Sequence, residues 1–319
     1  MHLTVSKSIQ AKRGAALIAV LWLIAILGLA TLTALRVIKF DMDLASAKIH
    51  GSRARQIAEM GIAVGSNPAV KRTDPILRQM NADSGEGFEV RVISEGGRFN
   101  INYILIQDDK ALLREIFSKW GMELEDAQAV ADALGDWVDE DDNVALNGAE
   151  KEEYEKAGRV NQPFNRPFYD LSEMRFVRGM EMVEALKPDW REWFTIWSEG
   201  QLDVNEATAE LIAAAAEVPV EQADIVPEQV RGTDGQLDTE DDVLFPQGQA
   251  SRALDLLGID PNGRPDIANR FTASGPGTGT LRIESIGWHG DQAIGVAIPT
   301  QKNPSQMQIL HREEFTPRR

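Results

Sequence analysis

Side-chain oxygens recur through residues 139–150 with a spacing that could bind a divalent cation. Counted from the first aspartate, they fall at positions one, three, five, nine and twelve, which are the side-chain ligand positions of an EF-hand calcium loop. The residues at these positions are Asp139, Asp141, Asn143, Asn147 and Glu150. The sixth position, which an EF-hand needs as glycine for its sharp turn, is Val144. The stretch is therefore not a true EF-hand, and two interpretations remain: a calcium-binding loop and a solvated acidic loop.

A second acidic cluster lies in a turn-rich segment at 225–248. Its carboxylates are Asp234, Asp238, Glu240, Asp241 and Asp242. An Asp-Gly turn followed by carboxylates resembles the calcium loops of exported proteins, but the spacing matches no standard site. The pattern favours a solvated loop here, with calcium binding as the alternative.

The net charge of −17 and the absence of cysteine narrow the classes of function. An acidic surface repels phosphate backbones and attracts cations, so we expect calcium rather than nucleic acid as a partner. Without cysteine there is no disulfide or thiolate chemistry, and four histidines spread along the chain argue against a zinc site. Serine-nucleophile, phosphate-loop and zinc-protease motifs are absent, and the acidic clusters lack an aromatic platform for a sugar. We therefore expect no enzymatic activity.

The element that precedes these loops is a long apolar segment behind a basic leader. Lys12, Arg13 and Gly14 are followed by 21 residues without a charge, 15–35, enough for a helix that spans about 30 Å of bilayer. The basic residues favour an N-terminus that stays in the cytoplasm. The run is longer than a usual secretion signal, although residues 28–30 resemble a signal-peptidase site. A cleaved signal, a plain anchor and a processed leader are the three possibilities.

The helical pattern does not end with the apolar run. Residues 36–66 lack proline and keep apolar residues at helical spacing. The pattern predicts one helix of about 45–50 residues, with Gly51 as its weak point. Its amphipathic second half needs a surface to pack against.

The remaining sequence is typical of strands, then helices, then strands. FEVRVIS alternates and GRFNINYILI follows a Gly-Gly turn, which predicts strands within 88–106. Helices are expected at 109–139, 171–186, 206–217 and 249–257, and strands at 270–274, 280–287 and 292–299. The order predicts an α+β fold in which the two strand blocks share one sheet, the long helix packs on that sheet, and the helical middle is an insertion.

Five stretches of the sequence resemble the motifs of one known family. The first is Lys-Arg-Gly directly before an apolar helix, which resembles the N-terminus of type IV pilin-like proteins. The others are ALGDWVDEDD (133–142), NGAEKEEY (147–154), PFNRPFYDLSEMRFVRGM (163–180) and LDVNEATAELIAA (202–214). Together the five stretches resemble the K-type minor pseudopilins of type II secretion systems, and the resemblance runs from residue 10 to residue 300. Met174 and Asp203 depart from the leucine and asparagine that are usual in those motifs.

The resemblance implies how the N-terminus is processed. A prepilin peptidase would cut between Gly14 and Ala15, and the new N-terminus at Ala15 would be methylated. Most pilins carry glutamate at the fifth mature position, where it is thought to pair with the amine of a neighbouring subunit; here that position is Ala19. A carboxylate in lipid costs a few kcal/mol unless it is paired. K-type minor pseudopilins also lack this glutamate. The resemblance therefore implies that this chain, like them, caps the filament.

The resemblance also implies a pilin-like fold with a large all-helical domain inserted between the strands. The expected parts are a leader (1–14), a transmembrane helix (15–35), its periplasmic continuation (36–66), the first part of the sheet domain (67–106), the inserted helical domain (107–268), the last strands (269–300) and a flexible tail (301–319).

The implied function is that of a non-enzymatic subunit, anchored in the inner membrane with its C-terminal domain in the periplasm. It would assemble with the I- and J-type minor pseudopilins at the tip of the pseudopilus, and help initiate or cap the filament for export of folded proteins across the outer membrane. The secretin and the exported substrate are further implied partners, and calcium is the implied cofactor of the helical domain. The alternative is a membrane-anchored periplasmic calcium-binding or hydrolytic domain.

Overall fold

The computed structural model describes residues 7–237, 239–275, 279–303 and 306–317. Its α-helices are α1 (Lys7–Gly65), α2 (Ile101–Ile106), α3 (Lys110–Lys119), α4 (Leu124–Val138), α5 (Lys151–Lys156), α6 (Met180–Leu186), α7 (Ala209–Ala216), α8 (Val220–Ala223), α9 (Ile225–Val230), α10 (Ser251–Leu256) and α11 (Pro265–Ala268). Its strands are β1 (Arg78–Met80), β2 (Gly87–Ser94), β3 (Phe99–Asn100), β4 (Phe194–Thr195), β5 (Leu202–Asp203), β6 (Phe271–Thr272), β7 (Thr280–His289), β8 (Gln292–Asn303), β9 (Gln306–Ile309) and β10 (Glu313–Phe315). Short 3-10 turns lie at Pro75–Leu77, Glu95–Gly97, Leu171–Phe176 and Trp190–Glu192.

The first helix, α1, runs without a break from Lys7 to Gly65 and passes straight through Gly51. Its side chains from residue 16 to residue 49 are exposed, and burial begins only in the last turns of the helix. The segment Ala16–Gly65 is long and apolar enough to cross a membrane, judged by length and composition. The single long helix predicted from the sequence is therefore confirmed.

The last turns of α1 pack on the sheet through small residues. Ala54 and Ala58 are fully buried, and they lie against Gly287 of β7, where an added Cβ would come within 2.2 Å of the Ala54 carbonyl oxygen. A Cβ on Gly61 would lie 2.1 Å from Oγ of Ser285 and 3.0 Å from Val90. Helix and sheet backbones approach so closely because neither side carries a large side chain at the contact.

The main sheet has the order β1-β2-β7-β8-β10, with β9 also paired to β8, and all its pairs are antiparallel. Strands β2 and β7 are neighbours along their length, with Gly87 opposite Trp288 and Ser94 opposite Leu281. Residues 95–279 are therefore inserted between two adjacent strands. The prediction that both strand blocks share one sheet is confirmed, and so is the α+β fold.

The inserted region has a hydrophobic core of its own. Trp137, Trp190 and Phe117 are among its largest buried side chains, and the helix pair α3–α4 contributes most of the apolar positions predicted for 109–139. A separate, smaller cluster lies between α1 and the sheet and includes Ala58, Phe88 and Ile283. The two cores are distinct groups of buried residues.

Two stretches predicted as strands of the sheet domain belong to the insertion instead. Residues 101–106, the end of GRFNINYILI, form α2, because the Asn100 side chain accepts a hydrogen bond from the backbone N–H of Tyr103 and caps the helix. Strand β6, predicted among the last strands of the sheet domain, pairs in parallel with β5. Strands β3 and β4 form a second short parallel pair, so the insertion is mostly but not wholly helical.

The prediction of a flexible tail at 301–319 is wrong for most of the described residues in that range, because they form strands. Strand β9 extends the hairpin with β8, and β10 pairs with β8 so that Phe315 lies opposite Gly295. The Phe315 ring packs over that glycine, where a Cβ would come within 2.4 Å of it. Two ion pairs fasten the strand to α1: Arg55 with Glu314 at 2.6 Å, and Arg312 with Glu59.

We expect Gly61→Ala to destabilise the fold and Gly51→Ala to stabilise it. Both changes relieve the helix cost of glycine, by about 1 kcal/mol, but Gly51 has nothing within 4 Å of its added Cβ. Overpacking at the Gly61 contact should cost about 1–3 kcal/mol. Urea unfolding of the full chain in detergent micelles measures both, and equal stability of the two variants would contradict the close contact of α1 with β7.

Candidate metal centre

Three carboxylates converge where α4 ends and α5 begins. Asp136 lies on the last turn of α4, Asp139 is the residue just after that helix, and Glu150 precedes the first turn of α5. One oxygen atom from each lies within 4.8 Å of the other two. Asp136 and Glu150 are buried, and Asp139 is exposed at the mouth of the group. We call these three residues the carboxylate centre.

Asp136 folds the following loop back onto the end of α4. Both of its carboxylate oxygens accept a hydrogen bond from the backbone N–H of Ala145, at 3.1 and 3.3 Å. The backbone also approaches closely at Gly148, where an added Cβ would lie 1.8 Å from Oδ2 of Asp136. Glycine at 148 is therefore required for the loop to close over the carboxylate.

Glu150 has a buried carboxylate whose two oxygens have no hydrogen-bond partner. Its side chain is 2 % exposed. The backbone N–H of Glu150, in contrast, has a hydrogen-bond partner, because it donates to Oε2 of Glu153 at 3.1 Å. A buried carboxylate without donors is costly unless a cation or a proton neutralises it.

The electrostatics of the centre follow from burial and like charge. Burial, together with the charges of Asp136 and Asp139, raises the pKa of Glu150 to about 7. Burial also raises the pKa of Asp136 and of Asp139, and a second aspartate adds to each shift: Asp139 in the first case and Asp141 in the second. Each group therefore holds its proton more tightly than in water, because burial disfavours the charged carboxylate and neighbouring negative charges repel it.

Aromatic packing holds the two helices that supply the ligands. Trp137 is fully buried. Its ring lies edge-on to those of Tyr154 and Phe164, with centroids 5.4 and 5.1 Å away, and stacks at 6.4 Å with Phe168. Because Trp137 follows Asp136 and Tyr154 lies one turn after Glu150, this cluster positions both ends of the loop.

The sequence prediction named five ligands in this loop, and the structure brings two of them, Asp139 and Glu150, into the carboxylate centre. Asp141 instead accepts a hydrogen bond from the N–H of Asn143 at 2.7 Å, which caps its own turn. The carbonyl oxygen of Asn147 accepts from the Arg178 guanidinium. The third member of the centre is Asp136, which lies on α4 three residues before the counted loop.

The second acidic cluster is arranged differently. The carboxylate of Asp241 accepts hydrogen bonds from the N–H and hydroxyl of Thr233, each at 2.6 Å, and from the hydroxyl of Thr239 at 2.9 Å. These donors hold the pKa of Asp241 far below its usual range. Asp234 accepts from the N–H of Gln236 at 2.8 Å. The loop therefore neutralises its carboxylates with its own donors.

Asp242, a further candidate of this cluster, accepts a hydrogen bond from the backbone N–H of Thr239 at 3.3 Å, and Asp238 lies outside the described residues. Among the residues that the structure describes, Asp136, Asp139 and Glu150 form the one group of three acidic or imidazole ligands close enough to share an ion, and Glu240 is not in it.

The predicted processing residues lie within α1. The helix runs through Gly14 and Ala15, and Ala19 lies on its apolar stretch with an exposed side chain. Neighbouring side chains such as Leu17, Ile18 and Trp22 are also more than half exposed. The stretch thus presents an apolar surface on all sides, as lipid or neighbouring apolar helices require.

Comparison with known proteins places the centre within a family domain. Residues 97–189 match the family model described as type II secretion system (T2SS), protein K. Type II secretion system protein K of Pseudomonas aeruginosa is 31% identical over 163 residues, which are 48% of this chain and 47% of that protein. The protein of the same name from Dickeya chrysanthemi is 37% identical over 71 residues, 22% of this chain and 19% of that protein. The chain thus covers about half the length of the first relative and a fifth of the second.

The fold is similar to that of a solved structure as well. A chain in the crystal structure of the GspK-GspI-GspJ complex from the type 2 secretion system of enterotoxigenic Escherichia coli superimposes with a TM-score of 0.59. The alignment covers 88% of this chain and 99% of that one at 15% identity. This likeness supports the pilin-like layout of a long helix on an antiparallel sheet with a large insertion. The family model is centred on the carboxylate loop and both relatives bear the same name, so residues 97–189 of this chain match a domain of the type II secretion system protein K family.

Proposed function

We propose that this chain is a minor pseudopilin at the tip of a type II secretion pseudopilus. The observation that carries the proposal is the single helix α1, whose first part is apolar and exposed and whose last turns pack on a sheet. Such a helix can leave the membrane and continue into the globular region without a flexible joint. It therefore suits a subunit that stacks with others through helices while its globular part stays in the periplasm.

The family relationship and the fold support partners of the same kind. The similar solved chain comes from a complex named for GspK, GspI and GspJ. On this chain, residues 16–49 expose apolar side chains that pack on no other described part of the monomer. Outside the membrane, burying such surface against equivalent helices gains about 25 cal/mol per Å², and within the bilayer close packing of the helices supplies the attraction. We propose that the I- and J-type minor pseudopilins bind here, and that the secretin and exported substrate meet the insertion.

The tip position is supported by the residue type at 19. An alanine places no carboxylate in the apolar helix, so this subunit has no need of a neighbouring amine to neutralise one. A subunit above which no further subunit assembles fits this property. Anchoring in the inner membrane, cleavage after Gly14, methylation of Ala15 and the absence of enzymatic activity belong to the same proposal.

The carboxylate centre supports calcium as the cofactor of the insertion. Calcium prefers carboxylate oxygens, and Glu150 offers two buried oxygens that have no hydrogen-bond partner. Asp136, Asp139 and Glu150 would hold the ion, which would supply the positive charge that three clustered carboxylates lack. Asp136 already ties the loop to α4, so a bound ion would fix α4, the loop and α5 to one another.

The first prediction concerns processing. The protein isolated from membranes of cells that contain the prepilin peptidase should begin at methylated Ala15, because the basic leader ends at Gly14 and the apolar helix is kept. Mass spectrometry of the N-terminal peptide measures this, and a peptidase-deficient strain is the control. A chain that keeps Met1, or one cut near Ala30, would support the alternative of a membrane-anchored calcium-binding or hydrolytic domain.

The second prediction concerns assembly. Full-length protein in detergent should co-purify with I- and J-type minor pseudopilins produced alongside it. Leu21→Asp, which places a charge in the exposed apolar stretch, should reduce the recovered complex, whereas Leu21→Ile should not. If the aspartate variant is recovered in complex as well as the isoleucine variant, α1 is not the binding surface. Its membrane insertion is checked separately by carbonate extraction.

The third prediction distinguishes the carboxylate centre from an EF-hand loop. Asp139→Asn and Glu150→Gln should each weaken calcium binding by at least tenfold, because each removes a charged ligand. Asp141→Asn should bind calcium as the parent does, since Asp141 caps its own turn. Isothermal titration calorimetry of the full chain measures all three, and a large loss in the Asp141 variant would favour ligands at the EF-hand positions counted along the loop over the carboxylate centre.

The fourth prediction is a pH dependence. The carboxyl of Glu150 ordinarily has a pKa of 4.5, and the fold raises that pKa to about 7, so the folded chain binds this proton more tightly than the unfolded chain. Without calcium, the free energy of unfolding should therefore fall as the pH rises between these values, by on the order of 3 kcal/mol from this group.

Glu150→Gln should remove that part of the pH dependence and make the calcium-free chain more stable than the parent at pH 7.5. Added calcium should stabilise the parent more at pH 7.5 than at pH 5.5, because the ion competes with the proton. Thermal unfolding in chelator and in calcium provides both comparisons. A parent chain whose calcium-free stability rises across this range would rule out the charge repulsion described here.

A further inference from the structure

Two of the four histidines, which lie 239 positions apart in the sequence, meet at one end of the sheet, beside the turn between β7 and β8. The Nδ1 atoms of His50 on α1 and His289 at the end of β7 are 2.7 Å apart, and their ring centroids are 4.8 Å apart. One of these nitrogens must therefore carry a proton and the other must offer a lone pair. The sequence alone treated the histidines as scattered, and the fold brings these two together.

A carboxylate fixes which nitrogen of His289 is free. Oε1 of Glu86 lies 2.9 Å from Nε2 of His289, so Nε2 carries the proton and Nδ1 presents its lone pair toward His50. A carboxylate on the far nitrogen of an imidazole is the usual outer partner of a metal-binding histidine. It orients the ring and makes the free nitrogen a better ligand.

The turn between β7 and β8 is shaped to admit the second ring. Gly290 has a φ of +58°, and a Cβ at that position would lie 3.0 Å from Nδ1 of His50. Any larger residue would be strained in this conformation and would crowd the imidazole. The β7–β8 hairpin therefore places His289 beside α1, and its turn leaves space for the ring of His50.

The pair is accessible from solvent. The side chain of His289 is 18 % exposed, and it lines an open groove of about 740 Å³ between α1 and the β1–β2 edge. Glu86 and Arg53 also line this groove. The guanidinium of Arg53 donates to Oε1 of Gln56 at 3.5 Å. Water and a small ion can therefore reach the imidazoles from this side.

We propose that His50 and His289 bind one divalent transition-metal ion, such as Zn²⁺ or Cu²⁺, through their Nδ1 atoms, with water as the remaining ligands. Glu86 accepts a hydrogen bond from the Nε2–H of His289 and does not itself bind the metal. Neutral His50 moves its proton from Nδ1 to Nε2, so no proton is lost from the protein overall. Metal–nitrogen bonds of about 2.0–2.1 Å require the two rings to separate slightly from their hydrogen-bonded distance.

A metal ion at this position would fix α1 to the sheet domain at the point where the helix leaves the sheet. His50 is the first partly buried residue of the helix, after the exposed run 16–49. A metal bonded to both histidines would join the helix to the β7–β8 turn at that point. It would limit how far the membrane-spanning part can swing relative to the globular part.

The test is a titration of the full chain in detergent, with calcium present in excess to occupy the carboxylate centre. Competition with a chromophoric zinc chelator should show one Zn²⁺ bound per chain. His50→Gln and His289→Gln should each weaken binding by at least tenfold, and Glu86→Gln by about tenfold. His311→Gln is the matched control and should leave binding unchanged, since that ring stacks on Trp197 at a different place.

Spectroscopy of the parent chain makes the test independent of any variant's folding. Electron paramagnetic resonance of bound Cu²⁺ should show coupling to two imidazole nitrogens, and one in either histidine variant that still folds. Binding in the two histidine variants as tight as in His311→Gln would overturn the proposal. So would a Cu²⁺ spectrum of the parent that shows only oxygen ligands.

Discussion

The antiparallel pairing of β2 with β7 is the constraint on which the other features depend. It places Ser94 opposite Leu281, so the two ends of the insertion leave the sheet side by side. The insertion can therefore be large without disturbing the sheet, because it closes on a core of its own and the entropy of closing a loop grows only slowly with length. The same two strands form the surface on which Ala58 and Gly61 of α1 pack.

Further contacts join the insertion to the sheet domain. The guanidinium of Arg72, just beyond α1, makes two hydrogen bonds of 2.6 and 2.7 Å to the Glu206 carboxylate in the insertion. This ion pair is largely buried, and its two-point geometry fixes orientation as well as distance. It gives the insertion a defined position relative to the sheet domain.

Much of the fold could be predicted from local patterns because those patterns report burial. The alternation in FEVRVIS and the helical spacing through 109–139 each describe one face against a core. Residues 101–106 carry the same apolar character, yet a single side chain, Asn100, caps them as a helix. Strand β10 is three residues of mostly polar sequence, and it exists because Gly295 receives Phe315 and α1 supplies Arg55 to Glu314. No local pattern contains that information.

The candidate sites were harder to predict from local sequence patterns than the fold was. Counting along 139–150 found Asp139 and Glu150, because both lie within one loop, and missed Asp136, because a helix residue one turn earlier faces the same space. Two features of the sequence bear on that residue: Asp136 lies within the stretch ALGDWVDEDD, and Gly148 has no Cβ, so the backbone there can come close to a carboxylate. For His50 and His289 no spacing rule applies at all. Their meeting depends on the register of α1 against β7, which Ala54 and Gly287 set. A site made by packing between distant elements is visible only once that packing is known.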